Sequence, residues 1–175
     1  MLKIRKATEE DISAIDGTYT RLMEYEAEHE NYTNWKIGVY PTVHDAEKAV
    51  SEGTMFILEE GGELCASMIL NKNQAEHYKQ IEWKYSAEPE EVLVIHTLTV
   101  PPEKARKGYG RAMVDFAGMY GKEHGCKVIR MDTSVRNTPA QEMYTKYGFR
   151  IAGKLRVMHH GPIDGELYFL EGIIF

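Results

Sequence analysis

Residues 96–113, HTLTVPPEKARKGYGRAM, gather four cations (Lys104, Arg106, Lys107, Arg111) and two glycines (Gly108, Gly110) at a turn leading into an apolar helical pattern. From Lys104 to Arg111 every charge is positive, in a chain whose formal net charge is −6. A helix N-terminus offers unpaired N–H donors and about half a positive charge from the macrodipole, so it attracts phosphate. Glycine lets the main chain approach a bulky anion because no Cβ intervenes. The turn is therefore read as a phosphate or pyrophosphate seat. A tight turn with a rim of solvated cations would be the better reading if the glycine pair stood alone.

Two nucleotide-binding alternatives fit poorly. A dinucleotide turn needs a third glycine where Met113 stands and follows its strand closely, whereas seven residues separate Val100 from Gly108. Asp132 lies at a suitable distance for a ribose-binding acid, one coincidence against two failures. No GxxxxGK[ST] occurs, which excludes a P-loop.

Other chemistry-bearing residues are scattered. His96 interrupts the apolar run EVLVIHTLTV and is either a satisfied core histidine or a group that titrates near neutrality. Tyr144 shares a helical face with Ala140, Met143 and Tyr147, so its own surroundings read as a packed tyrosine whose hydroxyl needs a partner. Tyr32, Trp35 and Tyr40, in NYTNWKIGVYPT, either anchor a loop or wall a pocket. The run EYEAEHE (24–30) would draw in a polyamine or aminoglycoside, although such runs are more often solvated faces. The histidines, including the His159–His160 pair, lack metal-ligand spacing, and no metal is expected.

The elements that must position these residues follow from pattern. LKIRK alternates as a first strand; TEED is a capping box with Thr8 and Asp11, and Ile12, Ile15, Tyr19, Leu22 and Met23 fall on one helical face. A second helix covers 43–52. MFILEEGGELCASMIL is a hairpin turning at Gly61–Gly62. After a polar excursion, EVLVIHTLTV (91–100) reads as a central strand, apolar on both faces. Met113, Phe116, Ala117 and Tyr120 mark a helix and KVIRMDT a strand. NTPAQEMYTKYGF opens a helix with Thr138 as N-cap, Pro139 at N1 and Gln141 at N3, stopped by Gly148. Two strands follow in 149–175. The order β-α-α-β-β-β-α-β-α-β-β predicts a mixed α/β domain with helices on both faces of a sheet.

The bulk numbers agree. At 175 residues, 43% hydrophobic and 27% charged, the chain fits one ordinary globular domain, residues 1–175. Two cysteines, Cys65 and Cys126, form no framework or zinc spacing, so a reducing cytoplasm is expected. No signal peptide or membrane span is read. The acidic balance argues against a nucleic-acid partner and suits a cationic small molecule. The apolar ending LYFLEGIIF offers an edge for a homodimer.

Two motifs in this order resemble the GNAT superfamily of acyl-CoA-dependent N-acetyltransferases. LTVPPEKARKGYGRA resembles its central strand and pyrophosphate loop, [QR]-x-x-G-x-[GA], with Ala105 in place of the first Gln or Arg. NTPAQEMYTKYGF resembles N-x-x-A-x-x-x-Y-x-x-x-G-F, matching Asn137, Ala140, Tyr144, Gly148 and Phe149. The resemblance implies a mixed sheet of about seven strands splayed between two parallel central strands, with acetyl-CoA as acyl donor and direct attack by an amine. It places the acetyl and pantetheine groups along Leu98, Thr99 and Val100. The pyrophosphate falls on 105–111, including Arg106, Lys107, Gly108, Tyr109, Gly110 and Arg111. Asn137 then binds the pantetheine region, Tyr144 protonates the leaving thiolate, and Tyr32, Trp35 and Tyr40 face the acceptor. His96, or water or Glu91 in its stead, removes the amine proton. The acceptor is a small primary amine or a protein amine. A non-catalytic acyl-CoA-binding module is the alternative.

Overall fold

The computed structural model covers residues 1–175. In chain order its elements are β1 (Leu2–Lys6), α1 (Ile12–Glu28), α2 (Val43–Ser51), β2 (Met55–Glu60), β3 (Glu63–Asn71) and β4 (Val92–Thr99). They continue as α3 (Tyr109–Glu123), β5 (Val128–Ser134), α4 (Thr138–Tyr147), β6 (Arg150–His159) and β7 (Ile163–Ile173). The strands form one seven-stranded sheet in the order β1-β2-β3-β4-β5-β7-β6. It is the mixed α/β architecture expected from the sequence. β4 and β5 run parallel through Val92–Val128, Leu93–Ile129 and Val94–Arg130, and β4 continues to Thr99. No helix is long and apolar enough to cross a membrane.

Packing divides the chain into two compact units, residues 1–30, 35–70 and 96–116 in the first and 31–34, 71–95 and 117–175 in the second. In the first, the capping box before α1 forms as read, with the Thr8 N–H donating to Asp11 Oδ2 at 2.7 Å. Arg5 clamps Asp11 and Glu59, each at 2.8 Å, and holds the Asp11 carboxyl below its ordinary range. Thr42 and Asp45 repeat the box before α2. Ile15, Tyr19 and Met23 of α1 and Ala46 and Ala49 of α2 then bury against Met55, Ile57 and Ile69. On the neighbouring residue of β2, Phe56 meets Phe116 of α3 with ring centroids 5.2 Å apart. Successive strand residues point to opposite faces, so helices cover both sides. Burying one aliphatic side chain contributes about 1.5–3 kcal/mol, against about 0.2–1 for a surface pair such as Arg21–Glu103. The apolar helix faces hold this unit together.

The second unit departs from the sequence reading in three places. Residues 71–91 are polar in composition yet lay Tyr78 and Ile81 into a core with Val92, Val94, Leu167 and Phe169. Two buried charges pin this stretch. The Glu171 carboxylate, fully buried, accepts the Lys84 and Tyr85 N–H groups at 2.9 Å and pairs with Arg150 at 2.5 Å. Arg130 donates to Gln74 Oε1 at 2.7 Å and lies 4.3 Å over the Trp83 ring. Second, the run LYFLEGIIF belongs to β7, which lies between β5 and β6. It is apolar because it is interior, and the sheet edge is β6, which turns Lys154 and Arg156 outward. Third, the N-cap of α4 is Asn137, not Thr138. Its Oδ1 accepts the Ala140 N–H at 3.3 Å, while Gln141 Nε2 reaches the Ser134 and Val135 carbonyls. Asparagine and threonine both cap well, and here the first of the pair takes the position. Phe149 at the end of α4 packs on Gly172, where a Cβ would come within 2.7 Å of the ring.

Candidate functional site

In the first unit the second half of β4 and the residue after it present His96, Leu98 and Val100 half-buried and keep Thr97 and Thr99 buried. Thr97 has φ +52°, an outlier for a β-branched residue. Two hydroxyls hold it there. The Tyr40 phenol is hydrogen-bonded to Thr97 Oγ1, and the Thr99 hydroxyl donates to the Thr97 carbonyl at 3.0 Å. A residue of this conformation breaks a strand's regular ladder and re-aims the adjacent peptide groups. It stands between His96 and Leu98, just before the segment 98–100 along which the sequence resemblance seats the acyl group.

The basic turn follows in the same unit. Arg106 (φ +61°) and Gly108 (φ +83°) are both left-handed, and residues 105–108 are exposed. A Cβ on Gly108 would meet nothing within 4 Å, so the position requires glycine for its φ and leaves open space for a ligand. The first ladder bond of α3 runs from Ala112 N–H to Gly108 C=O at 3.0 Å, so the Tyr109 and Gly110 amides precede the ladder. Arg106, Lys107 and Arg111 are exposed around them. Lys104 is not part of this rim: it pairs with Glu63, which lowers the Glu63 carboxyl and raises the lysine. The Tyr109 side chain, 7% exposed, turns inward and donates its hydroxyl to Glu60, leaving only its main chain toward the turn. Both anchors come from EEGGE, a hairpin tip whose carboxylates were legible only as turn flanks.

The second unit holds Asn137 and Tyr144. With Asn137 Oδ1 capping α4, its amide N–H2 is the group left for a ligand. Tyr144 is 5% exposed, edge-on to Phe149 at 5.8 Å; burial, then the charge of Asp132, pushes its phenol well above the ordinary value. Around Asp132 lies a cluster the sequence did not disclose. The Tyr78 hydroxyl donates to Asp132 Oδ2 at 2.6 Å, and His77 packs against Tyr78 and Phe169. Burial pushes the His159 imidazole down, partly offset by Asp132. Glu91, the substitute base, pairs with Lys127 at 2.7 Å and accepts the Glu88 N–H; these bonds, the Lys127 pair first, lower its carboxyl and disfavour proton uptake. The three aromatics expected at a pocket divide: Tyr32 falls in this unit, whereas Trp35 and Tyr40 belong to the first. There Trp35 packs on the core and lies edge-on to Tyr40 at 6.2 Å.

The family model described as Acetyltransferase (GNAT) family matches residues 18–149. Over 80 residues the chain is 31% identical to an uncharacterized N-acetyltransferase of Methanocaldococcus jannaschii, a stretch covering 43% of this chain and 35% of that relative. The chain thus spans about a third of that relative's length. A GNAT-family acetyltransferase structure from Streptococcus agalactiae superposes with TM-score 0.78 at 22% identity, over 98% of this chain and 95% of that one. One from Listeria monocytogenes gives 0.75 at 22%, over 98% and 94%. A Salmonella typhimurium protein solved with its cofactor acetyl-CoA gives 0.69 at 17%, over 100% and 95%. At these identities the structural likeness carries the fold.

Proposed function

The chain belongs to the acetyltransferase (GNAT) family, and from that premise we propose that it moves an acetyl group from acetyl-CoA to a small primary amine. The observation that carries the proposal is the left-handed pair Arg106 and Gly108 opening onto the N-terminal amides of α3. A diphosphate finds N–H donors, the positive helix end and the Arg106, Lys107 and Arg111 charges together there. Main-chain groups of Leu98 and Val100, beside the kink at Thr97, hold the acetyl carbonyl and the pantetheine arm. The Asn137 amide donates to the pantetheine region. Acetyl-CoA, when bound, supplies an activated thioester. Tyr144 Oη is protonated at neutral pH as any phenol is, the more firmly for its burial, and delivers that proton to the departing sulfur. His96 accepts the acceptor's ammonium proton, directly or through a water. Two buried free cysteines, Cys65 and Cys126, suit the reducing cytoplasm as its setting.

Thiol release from acetyl-CoA, measured against a panel of amines, tests this reading. Tyr144→Phe lowers turnover by about a hundredfold or more and leaves acetyl-CoA affinity within about twofold; unchanged turnover removes the role. His96→Ala loses the acidic limb of the pH–rate profile, and an identical profile transfers that step elsewhere. Tight acetyl-CoA binding without thiol release for any amine points to an acyl-CoA-binding module instead.

A further inference from the structure

We propose that Asp132 seats the positively charged amino group of the acceptor, in a subsite completed by Tyr78, His77 and His159. This rests on the acetyl-transfer reading and adds what it lacks, a group that recognises the amine. All four residues lie in the second unit.

The first reason is unmatched charge. A carboxylate has about four acceptor positions, and Asp132 receives one hydrogen bond, from the Tyr78 hydroxyl to Oδ2 at 2.6 Å. No lysine or arginine pairs with it. Its neighbour two residues along, Arg130, is committed to Gln74, to the Tyr85 carbonyl and to the Trp83 face. Its other oxygen is open to solvent, where an incoming ammonium would make charge-assisted bonds to it. The aromatic faces of Tyr78, which is 2% exposed, and Phe169 lie 5.4 Å apart at 90° beside this position.

The second reason is independent of Asp132. His77 Nε2 and His159 Nε2 are both buried without a hydrogen-bond partner. Orphaned polar atoms of this kind are rare and mark a missing ligand or water. His77, His159 and Asp132 do not converge closely enough to hold a metal ion. An organic molecule with its cationic end at Asp132 and a neighbouring polar group toward His77, which packs on the same Tyr78 and Phe169 rings, meets both needs. The acceptor class is therefore a small primary ammonium bearing a hydroxyl or similar group, in preference to a plain hydrocarbon amine. The charge of Asp132 is felt at Tyr144, the residue assigned as proton donor.

Ethanolamine and ethylene glycol differ by one ammonium in place of a hydroxyl and make the test. With the full chain labelled at histidine, ethanolamine is expected to shift the His77 and His159 ring resonances saturably, and ethylene glycol to leave them in place. Asp132→Asn should weaken the ethanolamine response at least tenfold, with acetyl-CoA affinity in the same sample changed less than twofold. Equal responses to both probes, or an undiminished response in Asp132→Asn, overturn the proposal; the probe pair alone decides if that variant fails to fold. Absent acetyl-CoA binding with the ethanolamine response intact would strike the transfer reading and leave the ammonium seat standing.

Discussion

The basic turn at 105–111 and the cluster around Asp132 solve similar tasks with different parts of the chain. The turn is contiguous and makes its polar surface from main-chain amides, with glycine and left-handed geometry to aim them. The cluster draws His77 and Tyr78 from the 72–91 stretch, Asp132 from β5 and His159 from β6, and its polar atoms are all side-chain atoms. A main-chain site tolerates side-chain exchange and is intolerant of a changed φ. A side-chain site has the opposite sensitivity.

The largest stability effect is expected in the cluster. Tyr78→Phe removes the donor to Asp132 and leaves a carboxylate without its only partner, at a cost of about 1.5–3 kcal/mol. Chemical denaturation should show this loss while acetyl-CoA affinity is preserved; a coupled loss of affinity would erase the distinction between the two regions. In the turn, Gly108→Val forces a β-branched residue to φ +83° and should weaken acetyl-CoA roughly tenfold, about 1.4 kcal/mol. Lys107→Ala, which touches only a side chain, should weaken it about threefold or less by calorimetry. Equal effects from the two would mean that charge, not main-chain geometry, makes the seat. The smallest effect concerns pH. Burial holds the His159 imidazole below 6.5 in the folded chain. As pH falls below 6.5 the unfolded chain takes up a proton that the folded one refuses. Stability therefore declines through that window until the folded imidazole itself titrates, and His159→Asn should flatten this part of the stability–pH curve.

The same contrast explains what was legible in the sequence. The capping box at Thr8, the Gly61–Gly62 turn and the GYG turn are short-range signals, and each became the element it announced; the box at Thr42 was equally local and went unread. The choice between Asn137 and Thr138 as cap was not local enough, because either side chain reaches an N-terminal amide. Tyr78, Ile81 and Trp83 form no periodic pattern, so their stretch read as solvent-facing. Its docking depends on Arg130 and Glu171, 45 or more residues away in sequence. LYFLEGIIF announced an apolar strand but not its neighbours. Asp132 was conspicuous only as a coincidence of spacing, since nothing local ties it to Tyr78, 54 residues away.

The kink at Thr97 has a consequence for engineering. Held in place by Tyr40 and Thr99, it keeps a central strand away from ideal geometry at a cost of order 1–3 kcal/mol. A stabilisation campaign would be drawn to this position, because glycine there or a straightened strand would relieve the backbone. Variants selected for heat resistance alone should therefore accumulate changes at 40, 97 or 99, and their melting temperature and turnover should move in opposite directions.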